Sequence, residues 1–383
     1  MPKLPPLNPN LLKAGTFPFA AFEARKAALK AAGQQIFDFG VGDPVEPTPD
    51  FIRQALADGI PTVSQYPSPH GLLQLRDAIS KYLSRRFGVS INSESEIMPS
   101  VGSKEAVFNI TSLFGGANSK RNIIIAPQPG YFVVEKSAIM NSLEFYPYAL
   151  TPTNQYLMDL ASLPPALLNK TAIAWINYPH NPTGAICSLE YLKQQVATAH
   201  KYGFVLCSDE TYCDIYDNIP PPSVLQAAKE SVLAFHSCSK RSGMTAYRSG
   251  FVAGDAELIR RFVAYRNIIG AAPPVFTQQA ALAAWSDDLH PAQRRACFAQ
   301  KKDVLLGFFK ERELEVYQGG ATFYLWVKAP GAKAQPYAEL LLEKGLVVSP
   351  GDFFGEANSD YFRVALAPSL EDCHRAVQVW KKI

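Results

Sequence analysis

Five apolar runs punctuate the middle of the chain: NIIIAP (122–127), AIAWIN (172–177), FVLCSD (204–209), VLAFHS (232–237) and SGFVAG (249–254). They are continuous rather than alternating, which is how strands covered on both faces read. Helical periodicity fills the gaps between them, as in residues 189–202. Earlier, Leu72, Leu75, Ile79, Tyr82 and Leu83 keep one helical face apolar after the turn PSPHG. Strands alternating with helices predict an α/β fold with a doubly wound, mostly parallel sheet.

The pattern changes towards the C-terminus. A long helical region from about Thr277 to Lys310 is expected to lead into FYLWVKA (323–329), a helix near 336–344, LVVSPG (346–351) and FRVALA (362–367). A final helix then places Cys373, Ala376, Val377 and Trp380 on one face. Fewer, more widely separated strands predict a smaller α+β domain.

Composition narrows the function classes. At 383 residues the chain has room for two domains, and 48% hydrophobic with 19% charged residues is ordinary for a globular protein. A net charge of +3 without a basic block argues against nucleic acid as a partner. No apolar run reaches the ~18 residues of a membrane helix. The opening MPKLPPLNPN has neither a secretory nor a transit pattern. Six scattered cysteines (187, 207, 213, 238, 297, 373) form no C-x-x-C pair, so reduced thiols and a cytoplasmic location are expected. No metal motif of H-E-x-x-H type, P-loop or strand-following G-x-G-x-x-G is present.

Candidate chemistry stands at the carboxyl ends of the central runs, the edge where open α/β sheets bind ligands. NIIIAP is followed by QPGY, AIAWIN by YPHNPTG, FVLCS by DETY and VLAFHS by CSK. One edge therefore gathers Tyr131, Asn181, Asp209, Tyr212 and Lys240. Each has a bland reading: Asp209 as a helix N-cap, Asn181 as a turn residue, Tyr131 as a loop aromatic, Gly102 and Ser103 as a helix start. Taken together they point to pyridoxal 5′-phosphate. That cofactor needs a lysine for its aldehyde (Lys240) and a carboxylate for its pyridine nitrogen (Asp209). Its phenolic oxygen needs donors (Asn181, Tyr212), and its ring a flat face (Tyr131). Its phosphate needs N–H and O–H donors (Gly102, Ser103, Ser237) and a cation, Arg248.

Nearly the whole chain resembles class I/II aminotransferases of the aspartate aminotransferase fold, pyridoxal phosphate fold type I. The resemblance is carried by FPFAAFEARKA, FGVGDPVEPTPDFI, YPSPHGLLQLRDAI, GSKEA, NYPHNPTG, SDETYCDIY, SCSKRSGMTAYRSGFVAG and YFRVALA. It implies an N-terminal arm and part of the small domain in 1–40, a large cofactor-binding domain in 41–285 and the rest of the small domain in 286–383. It implies Lys240, Asp209 and Tyr212 as catalytic residues, with Lys104 and Ser239 added to the cofactor contacts above. Gly42, Asn181 and Arg363 would bind the substrate, Arg363 through its α-carboxylate. The resemblance also implies a homodimer in which Tyr66 reaches the phosphate of the neighbouring subunit.

His180 stands where the family commonly has Asn, and GMTAY replaces a more Leu-rich wording between Lys240 and Arg248. The eight-residue spacing is intact. FPFAAFEA, SDETYCDIY, HSCSKRSG and RSGFVAGDAELI are most similar to aminotransferases acting on succinyldiaminopimelate or LL-diaminopimelate in lysine biosynthesis. This implies 2-oxoglutarate as the acceptor, and aspartate is the alternative donor. Arg266 is the candidate for the distal carboxylate, against the plainer reading of a surface helix arginine. A lyase or decarboxylase on the same fold, or a non-catalytic binding protein, is the remaining alternative; NPTG and Arg363 argue against the first, and an intact Lys240 against the second.

Overall fold

The computed structural model describes residues 5–15, 20–115 and 119–383. The first residues of FPFAAFEARKA and the start of MPKLPPLNPN lie outside them. Strands are numbered along the chain. The central sheet contains β2 (Ile97–Ser100), β3 (Ile123–Gln128), β4 (Glu144–Ala149) and β5 (Thr171–Asn177), with β6 (Val205–Asp209), β7 (Val232–Ser237) and β8 (Gly250–Gly254). Its order is β2-β8-β7-β6-β5-β3-β4. The run from β7 to β4 is parallel, while β8 is antiparallel to both β2 and β7.

The continuous apolar runs have a direct cause. In β5, Ile173 and Trp175 enter the core on one face, while Ala174 and Ile176 enter the core on the other. In β7, Leu233 and Phe235 face one way, and Val232 and Ala234 the other. Both faces are dry, so the period of two never shows as a polar alternation. β4 is different, being half exposed at the sheet edge, where Pro147 deprives no inner strand of a ladder bond.

A second core lies around a four-stranded antiparallel sheet, β12 (Ser349–Pro350), β13 (Tyr361–Ala365), β10 (Tyr324–Lys328) and β9 (Val316–Tyr317). A parallel pair, β1 (Phe37–Asp38) with β11 (Leu346–Val347), joins the N-terminal segment to it. Phe22, Phe37 and Phe39 pack with Phe362, Val364 and Trp380 in this core.

The helix Leu189–Tyr202 follows its caps: Ser188 accepts from the Tyr191 N–H, and Gly203 ends it in the left-handed region. The final helix buries Cys373, Ala376, Val377 and Trp380 as its spacing predicts. The long helical region expected from about Thr277 to Lys310 consists of two helices, Val275–Ser286 and Leu289–Glu311. Asp287 breaks the run with extended backbone and its carboxylate accepts from the His290 N–H at 2.8 Å, starting the second helix. LVVSPG likewise divides into two short strands in different sheets. Among the described residues, no helix is long and apolar enough to cross a membrane.

Candidate active site

β5 and β6 end in register at Asn177 and Asp209, and β7 runs two residues past that level to Ser237 along the same edge of the sheet. A cavity of about 340 Å³ opens there, between the central sheet and the smaller one. Of the residues expected at the site, all except Gly102, Tyr66 and Arg266 line it.

Lys240 reaches the cavity from a single helical turn, Cys238–Arg241, directly after β7. Ser237 starts that turn by accepting from the Ser239 N–H at 3.1 Å. The Lys240 ammonium donates to the Gly42 carbonyl. Burial lowers its pKa to about 8, against the opposing pull of Asp43; Arg363, Arg248 and Arg294 press in the same direction as burial.

Asp209 is the last residue of β6, and no helix follows it, so the N-cap reading fails. Burial raises its pKa, and hydrogen bonds from Thr211 oppose that rise. Asn177 ties the two strands together, its amide donating to the Asp209 carbonyl at 2.8 Å and accepting from the Asn181 N–H at 3.0 Å.

The helix Gly102–Asn109 points its N-terminus at the same space. Gly102 has φ +74°, and a Cβ there would stand 2.5 Å from Arg248 Nη2. A side chain is therefore excluded twice, by backbone conformation and by the guanidinium it would strike. With Ser103, Ser237 and Ser239 this makes a cluster of N–H, O–H and cationic donors. Lys104 is beside it, with Nζ 5.4 Å from the centre of the Phe132 ring.

On the opposite wall Arg363, from β13, is buried. It donates to Asn181 Oδ1 at 2.9 Å and to the Gly40 carbonyl at 2.6 Å. Its Nε has no hydrogen-bond partner among the described residues. The guanidinium lies 4.2 Å from the ring centre of Tyr324 and 4.7 Å from that of Phe354. Tyr324 in turn brings its hydroxyl within 3.1 Å of the Tyr212 hydroxyl.

His180 braces the loops rather than the cavity. The Pro129 carbonyl, 3.0 Å away, can only accept, so Nε2 carries the proton and Nδ1 accepts from Thr183 at 2.8 Å. Burial lowers its pKa to about 3, keeping the ring neutral.

Two expected residues stand apart. Arg266 is fully buried, donating to the Pro69 and Pro99 carbonyls at 2.9 and 2.8 Å and pairing with Glu105 at 3.3 Å. Neither the distal-carboxylate role nor a surface position survives: its guanidinium is committed to holding segments of the fold together. Tyr66 is fully exposed and away from the cavity of its own chain.

Asn177, Thr211, Tyr324 and Phe354 line the site without having been singled out in the sequence. Asn177 and Thr211 lie inside strand-end motifs already quoted, so their position was the signal. Tyr324 and Phe354 come from the smaller sheet and the turn after β12, where no sequence pattern indicates the facing partner.

The family model for aminotransferase class I and II matches residues 34–379. The chain belongs to this family, whose members depend on pyridoxal phosphate; it is a pyridoxal phosphate-dependent aminotransferase. Within the family it is 36% identical to LL-diaminopimelate aminotransferase 2 of Nostoc sp., over 96% of each chain. It is 33% identical to LL-diaminopimelate aminotransferase of Desulforudis audaxviator, over 91% of this chain and 90% of that one. A solved aminotransferase from Neisseria meningitidis is 29% identical and superposes with a TM-score of 0.90, covering 98% of this chain and 100% of that one. The residues present fit the cofactor: a desolvated amine, a buried carboxylate, an aromatic face and a donor-lined helix terminus open on one cavity.

Proposed function

We propose that the chain transfers an amino group between LL-diaminopimelate, or its succinyl derivative, and 2-oxoglutarate, as a step of lysine biosynthesis. The observation that carries the reaction is the convergence of Lys240, Asp209 and Arg363 on one cavity. The substrate class rests on full-length similarity to relatives named for LL-diaminopimelate.

Bound pyridoxal phosphate supplies the carbonyl that accepts the amino group and the electron sink that acidifies the substrate Cα–H. Arg363 takes the α-carboxylate, its plane fixed beforehand by Asn181, the Gly40 carbonyl and the Tyr324 ring. Lys240 holds and moves the proton at Nζ, with a pKa near the working range. Asp209 offers its carboxylate to the pyridine nitrogen, and Tyr131 its ring to the cofactor face. Asn181 and Tyr212 donate to the phenolic oxygen. Gly102, Ser103, Ser237, Ser239 and Arg248 hold the phosphate, with Lys104 alongside.

The working form is a cytoplasmic homodimer in which Tyr66 enters the neighbouring subunit's phosphate site. Support comes from the exposure of Tyr66 together with Ile60 and Val63 in the same segment, and from six unpaired cysteine thiols. A panel of amino donors with 2-oxoglutarate, ranked by kcat/KM, tests the substrate. Either diaminopimelate is expected to lead. A lead of more than about tenfold for aspartate or an aromatic amino acid, roughly 1.4 kcal/mol of discrimination, overturns the assignment.

A further inference from the structure

Asp209 must keep a charge in a place that burial makes hostile to it. Among the described residues, two donors meet its carboxylate, and both belong to Thr211. The Thr211 N–H reaches Oδ1 at 3.1 Å, and the Thr211 hydroxyl reaches the same oxygen at 2.7 Å. That hydroxyl also lies 3.4 Å from Ser103 Oγ, in the first turn of the helix Gly102–Asn109. Thr211 itself lines the cavity.

The other groups around the carboxylate act from a distance. His236 of β7 favours its charge and Glu210, next in the chain, opposes it. Tyr131, Tyr212 and, from β10, Tyr324 also feel the Asp209 charge. Burial works against a charge on His236, but Cys213 and Glu210 outweigh it and its pKa rises to about 10, so the ring stays cationic across the neutral range. Among the described residues, Thr211 is the one that hydrogen-bonds the carboxylate.

We propose that Thr211 is a positioning residue for this reaction. Its hydroxyl occupies Oδ1, holds the Asp209 carboxylate ionised and turned, and leaves Oδ2 as the oxygen offered to the pyridine nitrogen. Through Ser103 it also couples that carboxylate to the phosphate end of the site. The inference rests on the cofactor and not on the substrate proposed above, so the donor panel and the following test fail independently.

The test compares Thr211→Val and Thr211→Ser holoenzymes with wild type. Valine keeps the shape and the backbone N–H but removes the hydroxyl; serine restores the hydroxyl without the methyl. Retention of pyridoxal phosphate is read by equilibrium dialysis across pH, and the thermal midpoint of each apo form is read alongside. Losing a hydrogen bond to a charged group is expected to weaken cofactor retention by roughly tenfold or more in the valine variant. Removing a donor to the ionised carboxylate raises the pKa of Asp209, so the acid-side loss of retention moves to higher pH. Serine is expected to reverse both effects, with apo midpoints little changed. Wild-type retention in the valine variant overturns the proposal. So does equal impairment in both variants, or an acid limb that stays in place. Should the valine variant not fold, Thr211→Ala carries the same readouts against serine.

Discussion

Arg363 Nη1 donates to Asn181 Oδ1 at 2.9 Å, and this bond joins β13 of the smaller sheet to the loop that follows β5 of the larger one. It settles two orientations at once. The guanidinium plane is held in place, and the Asn181 amide has its oxygen occupied, leaving its NH2 as a free donor.

Arg363→Lys tests that relationship. A lysine keeps the charge but loses the planar fork and the contact over the Tyr324 ring. The expected result is a rise in KM for both amino and oxo acid, with kcat/KM down by roughly 10²-fold or more, about 2.7 kcal/mol of lost binding. Cofactor retention should change little, and a competition dialysis beside the kinetics separates the two effects.

The pKa of Lys240 gives a pH prediction. Burial disfavours the ammonium and lowers its pKa from 10.5 to about 8, so the neutral amine accumulates above pH 8 rather than above pH 10. The rate at which apo-enzyme captures pyridoxal phosphate, followed by absorbance, should climb through a midpoint near 8 and then level off. A midpoint near 10 would mean a solvated lysine. Lys240→Ala should lose turnover by more than about 10³-fold while still retaining cofactor through the other contacts.

Asp209→Asn keeps the shape of the side chain and removes its charge. A drop in kcat of about 10²–10³ is expected, from losing one preorganised electrostatic partner. Steady-state kinetics within twofold of wild type would leave Asp209 a purely structural role at the end of β6.

Sedimentation of the enzyme at assay concentration should give a dimer as the active species. Tyr66→Phe should weaken cofactor retention several-fold in that dimer without changing its oligomeric state, because the proposed contact is made by the hydroxyl and not the ring. An active monomer would refute the assembly.

The continuous apolar runs determined the central sheet because each of those strands is dry on both faces, a condition that composition alone records. β2 and β4 escaped notice for the opposite reasons: Ile97–Ser100 is short, and Glu144–Ala149 is half exposed at an edge. Strand ends are also where short motifs reveal most. Asp209 and Ser237 end their strands and Lys240 stands three residues past its own, so knowing the strand nearly places the side chain. That is why the residues named along this edge gather round one cavity.

Long-range partners were another matter. Within residues 256–269 nothing distinguishes Arg266 from a surface arginine, because the Pro69 and Pro99 carbonyls that bury it belong to segments remote along the chain. Tyr324 reads as one more apolar strand residue until β10 sets its hydroxyl against Tyr212. The helical pattern through 277–310 hides the break at Asp287, whose carboxylate accepts from the His290 N–H in the first turn of the second helix. The sequence by itself determined which groups leave each strand and with what chemistry, since that depends on local periodicity and residue type. Tertiary structure alone decided which groups face one another, since a hydrogen bond between remote segments leaves no periodic trace in either of them.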